Sequence, residues 1–233
     1  MQEKSILIGC PVRNRAWILP EYLQCLENID YPADKIKFCF IVNDSIDDTE
    51  AILTEFSRRS LSPVQIINTP DSKNNGHQRG TYRLEQLAKL RNLLLEKFFQ
   101  SECEYLLSVD SDILVPPSII RQLLSRDCLI ISALVCNGHH INDSSIYNVM
   151  QKNPVGNYQY MKDLPRDNIF RTDITGAAYL IHRSVIVTHR VYYSAKRGAE
   201  DIGFCEEARA RGIPIFCDGT IECRHVMNEP GGL

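Results

Sequence analysis

A chain of 233 residues, 44% hydrophobic and 24% charged, has the size and composition of one large globular domain or two small ones. Its formal net charge of −3 offers no basic surface for nucleic acid, and its apolar runs 128–136 and 176–181 are too short to span a bilayer. Nine scattered cysteines without a CxxC pair are typical of a reducing compartment, so we expect a cytoplasmic protein. We expect no transmembrane segment, and peripheral contact with a membrane is compatible with the sequence.

The first part of the chain alternates between apolar strands and helices. Strands are predicted over residues 5–12, 35–42 and 64–69, and helices over about 17–28 and up to residue 59. This rhythm predicts a parallel, doubly wound sheet with right-handed crossovers. No GxGxxG follows the first strand, so a dinucleotide site of the Rossmann type is not expected.

The most strongly periodic helix is predicted over about residues 82–99. Arg91 falls in the middle of its apolar stripe, seven residues from both Leu84 and Phe98. A guanidinium at such a position must extend to water or find an anion. Arg91 therefore either snorkels or meets Asp110 or a ligand at the carboxyl ends of the strands. The polar loop before this helix suits a mobile flap, or equally a plain surface loop.

Two aspartates close the next predicted strand. Residues 105–109 are mostly apolar, and Asp110, Ser111 and Asp112 follow directly. Side chains at i and i+2 of an extended chain share a face. The carboxyl end of a buried parallel strand is also where open α/β sheets bind ligands. The pattern is typical either of an acidic turn or of a site for a hard cation or a polyhydroxyl ligand.

A polar, tyrosine-containing region follows a predicted helix at 118–124 and a buried strand at 129–135. This region, residues 137–173, is expected to surround a second substrate, and exposed tyrosines at 147, 158 and 160 suit stacking on sugar rings, although core or surface roles fit each one as well. The adjacent pair His139-His140 is not expected to bind a metal, because neighbouring side chains point apart. A strand over 175–181 opens with Gly176 and Ala177, whose small size permits close approach of a ligand.

The C-terminal third contains a second pair of acids. Glu200 and Asp201 open a predicted helix that runs to about residue 211. Acids in a first helical turn often only complement the helix dipole, which is the alternative to a catalytic role. Two short strands are predicted at 215–217 and 221–226, and the second contains His225, a residue that is usually structural when it stands alone in a strand.

Taken in order, these features resemble a known family. The order is Pro11-x-Arg13-Asn14, Asn43-Asp44, Arg91-Asn92, Asp110-x-Asp112, Gly176-Ala177, Glu200-Asp201 and His225. This set resembles the glycosyltransferases of the GT-A fold, close to the large family-2-like group, over nearly the whole chain. Residues 30–32, 48–49 and 105–112 are also similar to the galactosyltransferase domain of procollagen galactosyltransferases.

The resemblance implies an α/β fold and a reaction. The fold would be a single GT-A domain over residues 1–233, with a mostly parallel, doubly wound central sheet flanked by helices and a small acceptor-side subregion. Residues 1–115 would bind the nucleotide sugar, and residues 116–233 would bind the acceptor and carry catalysis. The reaction would transfer a hexose from a nucleotide-diphosphate sugar, with a UDP-sugar favoured, to a hydroxyl of a saccharide, protein or lipid-linked acceptor.

The resemblance also implies roles for individual residues. Mn²⁺ or Mg²⁺ would neutralise the donor diphosphate, held by Asp112, His225 and Asp110, the last of which would also hold the ribose. The nucleotide-sugar pocket would be lined by Pro11, Arg13, Asn14, Asp44, Arg91, Asp110 and Ser111, and the acceptor side by Gly176 and Ala177. Asp201 would be the general base of an inverting transfer, with Glu200 as the second candidate.

Other interpretations stay open. The second strand ends in Asn43-Asp44 where the family often has two acids, and an arginine serving the leaving group would permit retention of configuration. A nucleotidyltransferase also joins an α/β sheet to paired acids and a metal, but residues 11–15 lack the glycines of its phosphate loop. A non-catalytic nucleotide-sugar or carbohydrate-binding homologue is the remaining hypothesis, and Asp201 would be dispensable in it.

Overall fold

The computed structural model describes residues 3–69, 83–138, 143–196 and 198–227, so the predicted flap at 71–80 and the pair His139-His140 lie outside the described residues. The described helices are α1 Leu19–Glu27, α2 Thr49–Arg59, α3 Leu84–Ser101, α4 Ile119–Ser125, α5 Ser184–Val187 and α6 Glu200–Ala210. None of the helices in these ranges has the length and apolar character needed to cross a membrane. The described strands are β1 Ile6–Val12, β2 Ile36–Asn43, β3 Val64–Thr69, β4 Tyr105–Val109, β5 Ile113–Leu114, β6 Ile130–Val135, β7 Met150–Lys152, β8 Tyr158–Tyr160, β9 Ile169–Thr172, β10 Ala178–His182 and β11 Ile215–His225.

Nine of the described strands form one sheet at the centre of the fold. Its order is β3-β2-β1-β4-β10-β6-β11-β5, and β9 also pairs with β11. Strands β2, β3 and β4 run in the direction of β1, and β6 and β11 share that direction because β10 is antiparallel to both β4 and β6. Among the strands that the structure describes, only β5, β9 and β10 of this sheet run the other way. The predicted α/β fold with a mostly parallel sheet is therefore confirmed.

Helices cover the sheet on both faces. One apolar layer contains α1, α2 and α4, with Tyr22 and Phe56 fully buried in it. The opposite layer contains α3, α5 and α6, with Phe98 and Phe204 at its centre. This double coverage explains why the central strands have almost continuous apolar sequences rather than alternating ones.

The sheet opens between β1 and β4. Strand β1 pairs with β2 over its whole length, but its pairing with β4 ends at Gly9 and Ser108. Since β2 and β3 lie on one side of β1 and β4 on the other, this is the topological switch point at which open α/β sheets bind ligands. Pro11 lies beyond the last β1–β4 pair, where its missing N–H leaves no ladder bond unmade.

Tyr22 closes the bottom of this opening. Its ring is fully buried, and its hydroxyl donates a 2.8 Å hydrogen bond to the carbonyl of Val109 at the end of β4. The same hydroxyl lies 3.4 Å from Cys10 Sγ on β1. One side chain from α1 therefore takes the place of the ladder bonds that the two diverging strands no longer make.

The C-terminal strands differ from the prediction. Instead of separate strands at 215–217 and 221–226, β11 is continuous, with a register shift against β6 between Asp218 and Glu222. The fully buried carboxylate of Asp218 accepts hydrogen bonds from Thr220 N at 3.0 Å and from Arg126 Nε at 2.7 Å. Polar residues that are typical of a turn here form a β-bulge, which local sequence patterns do not distinguish from a turn.

We expect Tyr22→Phe to lower the free energy of unfolding by about 1–3 kcal/mol, because it leaves the buried carbonyl of Val109 without its donor. Tyr160→Phe is the matched control, since that side chain is 44% exposed and should change stability by less than about 0.5 kcal/mol. Urea denaturation of the two variants measures the difference. Equal stability of both would show that the hydroxyl does not hold the two strands together.

Candidate active site

Arg91 lies at the centre of a buried group of acids. Its side chain is 4% exposed, with Nη2 2.9 Å from Asp110 Oδ1 and Nε 2.8 Å from Glu200 Oε1. Nε is also 3.9 Å from Asp201 Oδ1. Of the two interpretations of Arg91, the structure therefore supports the one in which it meets Asp110. The guanidinium also sits over the ring of Tyr193, 5.7 Å from its centroid.

The position of Arg91 follows from the helix that carries it. The apolar stripe of α3 packs against β1 and β2. Arg91, in the middle of that stripe, is therefore buried against the sheet, near the carboxyl ends of the strands. Burial alone would lower the pKa of Arg91, but the negative charges of Asp110, Asp201 and Glu200 raise it well above its ordinary value. The arginine is therefore a fixed positive charge that holds three acids from two distant parts of the chain.

Asp201 lies between Arg91 and the segment that leads into β10. A Cβ added at Gly176 would lie 2.3 Å from Asp201 Oδ2, so any larger residue there would displace this carboxylate from its present position. Asp201 Oδ1 is buried and accepts no hydrogen bond from the described residues, although a quarter of the side chain remains exposed. Burial raises the pKa of Asp201 to about 8; Arg91 opposes that rise, and the charges of Glu200 and Asp110 add to it.

The three residues that follow β4 form a turn that is fixed at both ends. Asp110 O accepts a 2.9 Å hydrogen bond from Ile113 N, and Asp110 N donates one of 2.8 Å to Ala177 O. At the other end, Asp112 O accepts a 2.9 Å bond from Val226 N, next to His225. Ser111 is buried between the two acids. The turn thus links Arg91 and the start of α6 on one side to the end of β11 on the other.

Asp112 stands between an imidazole and a guanidinium. His225 Nε2 is 3.9 Å from Asp112 Oδ1, and Arg15 Nη2 is 3.3 Å from Asp112 Oδ2. His225 Nδ1 lies 3.3 Å from Cys136 O, and a carbonyl only accepts, so a hydrogen bond there places the proton on Nδ1 and leaves a lone pair on Nε2 of the neutral ring. This is the arrangement in which histidine binds a metal. The expected convergence of Asp112 and His225 is present in the structure.

The described residues nevertheless do not supply a complete set of metal ligands. In residues 3–69, 83–138, 143–196 and 198–227, no group of three or more His, Cys, Asp or Glu side chains is arranged to hold an ion. The pair Asp112 and His225 supplies one carboxylate and one imidazole, both of which suit Mn²⁺. Any further ligands would have to come from a substrate or from water.

Polar residues gather where β1 and β2 end. Asn14 and Asp44 both have left-handed backbone conformations, with φ of 47° and 49°. Asn14 N donates to Ser45 Oγ at 3.1 Å, which joins the two loops, and Arg13 Nη2 is 3.9 Å from Asp44 Oδ2. With Pro11 on β1, the structure brings the residues predicted for the nucleotide pocket to one edge of the sheet.

The acceptor-side prediction rests on a segment that the structure holds firmly. Asn148 donates from Nδ2 to Gly176 O at 2.8 Å, and Ala177, with φ of 67°, directs its carbonyl to Asp110 N. Strand β10 begins only at Ala178, later than expected, because this left-handed residue interrupts the extended chain. Tyr147 and Tyr158 are each covered on one ring face by a cation, at 5.0 Å from the ring centroid in both cases.

Arg15 is a residue of this site that the sequence patterns did not single out. Alternation along an extended chain would place Arg13 and Arg15 on one face with one partner. The left-handed Asn14 between them breaks that alternation, so Arg13 approaches Asp44 while Arg15 approaches Asp112. The sequence signal that could have identified Arg15 is its position two residues after Arg13, which makes it the second basic residue of the same turn.

The switch-point crevice, the paired acids after β4 and the acids that open α6 are the features expected of the GT-A glycosyltransferase fold. Solved structures agree: GalNAc-T7 with UDP, GalNAc and Mn²⁺ has a TM-score of 0.69 at 12% identity, covering 99% of this chain and 45% of that one. The mannosyltransferase PcManGT from Pyrobaculum calidifontis, with GDP-Man and Mn²⁺, has a TM-score of 0.63 at 14% identity, covering 99% and 59%. The predicted GT-A glycosyltransferase fold is confirmed.

The chain belongs to the Anp1 family, because the sequence model of that family matches residues 1–187. Human procollagen galactosyltransferase 2 is 26% identical over 149 residues, 58% of this chain and 23% of that protein. The multifunctional procollagen lysine hydroxylase and glycosyltransferase LH3 of Rattus norvegicus is 21% identical over 234 residues, 96% of this chain and 30% of that protein. The chain thus spans less than a third of these relatives, and the predicted similarity to procollagen galactosyltransferases is confirmed.

We expect Arg91→Ala to destabilise the protein by about 3–5 kcal/mol, because it leaves the buried Glu200 carboxylate unpaired. Arg59→Ala is the control: it breaks an ion pair with Glu27 whose arginine is 51% exposed, at a cost of less than about 1 kcal/mol. Chemical denaturation at pH 7 compares the two variants. A loss at Arg91 no greater than the loss at Arg59 would contradict the structural role of the buried cluster.

Proposed function

We propose that this domain transfers a hexose from a nucleotide-diphosphate sugar, with a UDP-sugar as the favoured donor, to a hydroxyl acceptor. The observation that carries the proposal is the position of Asp112, with His225 on one oxygen and Arg15 on the other, at the switch point of the sheet. A cation-binding pair and a guanidinium side by side match what a diphosphate leaving group requires.

The charge of the site supports a divalent cation. Among the described residues, its ion pairs join five carboxylates to three guanidinium groups, which gives two net negative charges when Asp201 is ionised and one when it is protonated. The members are Asp44, Asp110, Asp112, Glu200, Asp201, Arg13, Arg15 and Arg91. A negatively charged diphosphate cannot enter such a site favourably without added positive charge. Asp112 and His225 would hold Mn²⁺ or Mg²⁺, which when bound supplies Lewis-acid stabilisation of the departing diphosphate.

The donor nucleoside fits the edge formed by β1 and β2. Asp44 presents a carboxylate 30% exposed, able to accept hydrogen bonds from a base, and Arg13 and Pro11 border the same edge. Arg91 has a different proposed role from the one implied by resemblance, because its side chain is 4% exposed and bound to Asp110 and Glu200. It would hold these acids in place rather than grip the base, and Asp110 would reach the ribose.

The acceptor proton would go to Asp201. Glu200 is buried and bound to Arg91, whereas Asp201 keeps a quarter of its side chain exposed and an oxygen without a hydrogen bond from the described residues. Asp201 would accept the proton as the acceptor oxygen attacks the anomeric carbon from the side opposite the leaving diphosphate, which inverts the configuration. Gly176 leaves space for this carboxylate and would border the acceptor.

The names of similar proteins suggest which substrates to test first. One relative is a procollagen galactosyltransferase, and the solved structures include one with UDP and GalNAc and one with GDP-Man. UDP-galactose and a protein hydroxyl are therefore the first donor and acceptor to test, ahead of saccharide and lipid-linked acceptors. These names describe proteins much longer than this chain or only 12–14% identical to it, so they guide the choice and nothing more.

Calorimetric titration tests the donor and the cation. We expect UDP to bind in the presence of Mn²⁺ and at least about ten-fold more weakly without it, since the cation offsets the charge of the diphosphate. Asp112→Asn should abolish this Mn²⁺ dependence, while Asp34→Asn, whose side chain is 75% exposed, should preserve it. Tighter binding of GDP than of UDP would overturn the choice of donor, and an unchanged Mn²⁺ dependence in Asp112→Asn would overturn the cation site.

Transfer assays test Asp201. We expect Asp201→Asn to bind UDP normally and to lose transfer by about 10²–10⁴-fold, because a general base is removed. Only the ionised carboxylate accepts a proton, and the pKa of Asp201 is raised to about 8, so kcat/KM of the unmodified enzyme should rise with pH and level off above about 8. Normal turnover by Asp201→Asn would exclude it as the base, and release of pyrophosphate instead of UDP would favour a nucleotidyltransferase.

A further inference from the structure

The side chain of Arg15 is held at the candidate cation site without satisfying all its own donors. Nη2 is 3.3 Å from Asp112 Oδ2, and the two side chains are 18% and 14% exposed. Arg15 Nε is buried and has no hydrogen-bond partner among the described residues. A buried guanidinium N–H without an acceptor is costly, so this group is short of one anionic or carbonyl partner.

The backbone of Arg15 is fixed, whereas its side chain is bound to the described residues through Nη2 alone. Arg15 N donates to Thr49 Oγ1 at 2.8 Å, and its carbonyl accepts from Ile18 N at 3.0 Å and Leu19 N at 2.9 Å where α1 begins. Movement of the backbone would break three bonds and disturb the start of two helices. Within the described part of the chain, rotation of the side chain would break the contact with Asp112 alone, so the guanidinium can exchange partners within its own reach.

Arg15 and a divalent ion need the same carboxylate. Asp112 faces His225 with Oδ1 and Arg15 with Oδ2, so a divalent ion held by Asp112 and His225 would be close to a guanidinium of like charge. Binding of the ion therefore weakens the ion pair of Arg15 with Asp112. An arginine displaced in this way is best stabilised by a second anion, and its planar fork of donors matches phosphate oxygens.

We propose that Arg15 binds the diphosphate of a nucleoside diphosphate and competes with the divalent ion for Asp112. This inference rests on the proposed function, because it assigns a partner to the same site. Arg15 would then affect binding of the divalent ion in two opposite ways. Its ion pair with Asp112 disfavours the ion alone, and its hydrogen bonds to the diphosphate favour the ion together with the nucleotide.

Removal of Arg15 should therefore change two affinities in opposite directions. We expect Arg15→Ala to bind Mn²⁺ alone up to about five-fold more tightly, since a competing ion pair is lost. The same variant should bind UDP, at saturating Mn²⁺, about ten- to hundred-fold more weakly, since charge-assisted hydrogen bonds are lost. Arg15→Lys should leave Mn²⁺ affinity unchanged and lower UDP affinity by less, because it keeps the charge but not the fork.

The experiment measures Mn²⁺ binding by electron paramagnetic resonance of the free ion and UDP binding by calorimetry, with no transfer assay. Arg59→Ala, which removes an exposed arginine paired with Glu27, is the control for overall charge and should change neither affinity. Circular dichroism reports whether each variant is folded, and Arg15→Lys provides the comparison if Arg15→Ala is not.

Tighter Mn²⁺ binding together with weaker UDP binding supports the proposal. Weakening of both affinities in a folded variant would overturn it, since a merely structural role predicts that result. Unchanged UDP affinity would also overturn it, whatever happens to Mn²⁺. If the unmodified protein shows no Mn²⁺-dependent UDP binding, the proposed function fails instead, and the inference fails with it.

Discussion

The buried contact between Arg91 and its acids is the constraint on which the rest of the site depends. It joins α3, the turn after β4 and the start of α6, three segments that are up to 109 residues apart in sequence. Because only 4% of the Arg91 side chain is exposed, it needs anionic partners nearby, since an unpaired ion at that depth would carry its full desolvation cost. The helix, the turn and the second helix can therefore adopt only those positions in which the charges meet.

This contact also divides the acids of the site into two groups with different environments. Asp110, Glu200 and Asp201 share Arg91, whereas Asp112 lies apart with Arg15 and His225. The turn of residues 110–113 connects the two groups, and hydrogen bonds to Ala177, before β10, and to Val226, after β11, fix both of its ends. In the proposed function the first group would accept a proton and the second would hold a cation and a phosphate, although Asp110 and Asp112 are only two residues apart.

Much of this fold could be predicted from the sequence because its cues are local. Apolar runs indicated the strands, a 3.6-residue stripe indicated α3, and a charge within that stripe pointed to Asp110 as the partner of Arg91. What escaped prediction depends on single backbone angles or on the partner strand. The left-handed Asn14 separates Arg15 from Arg13, and the bulge that makes β11 continuous is defined only by its pairing with β6. Neither feature leaves a periodic mark in the sequence.

The bulge in β11 has a consequence for the identity of the side chain that reaches Asp112. Successive residues of a strand point to opposite faces, so the extra length accommodated between Asp218 and Glu222 decides that His225, and not Arg224, faces the carboxylate. One additional residue in this stretch would place Arg224 opposite Asp112 and turn the imidazole toward α1, where Arg224 now meets Glu21, whereas loss of one residue would place Val226 there. The number of residues in the bulge thus decides whether an imidazole, a guanidinium or an apolar side chain faces Asp112.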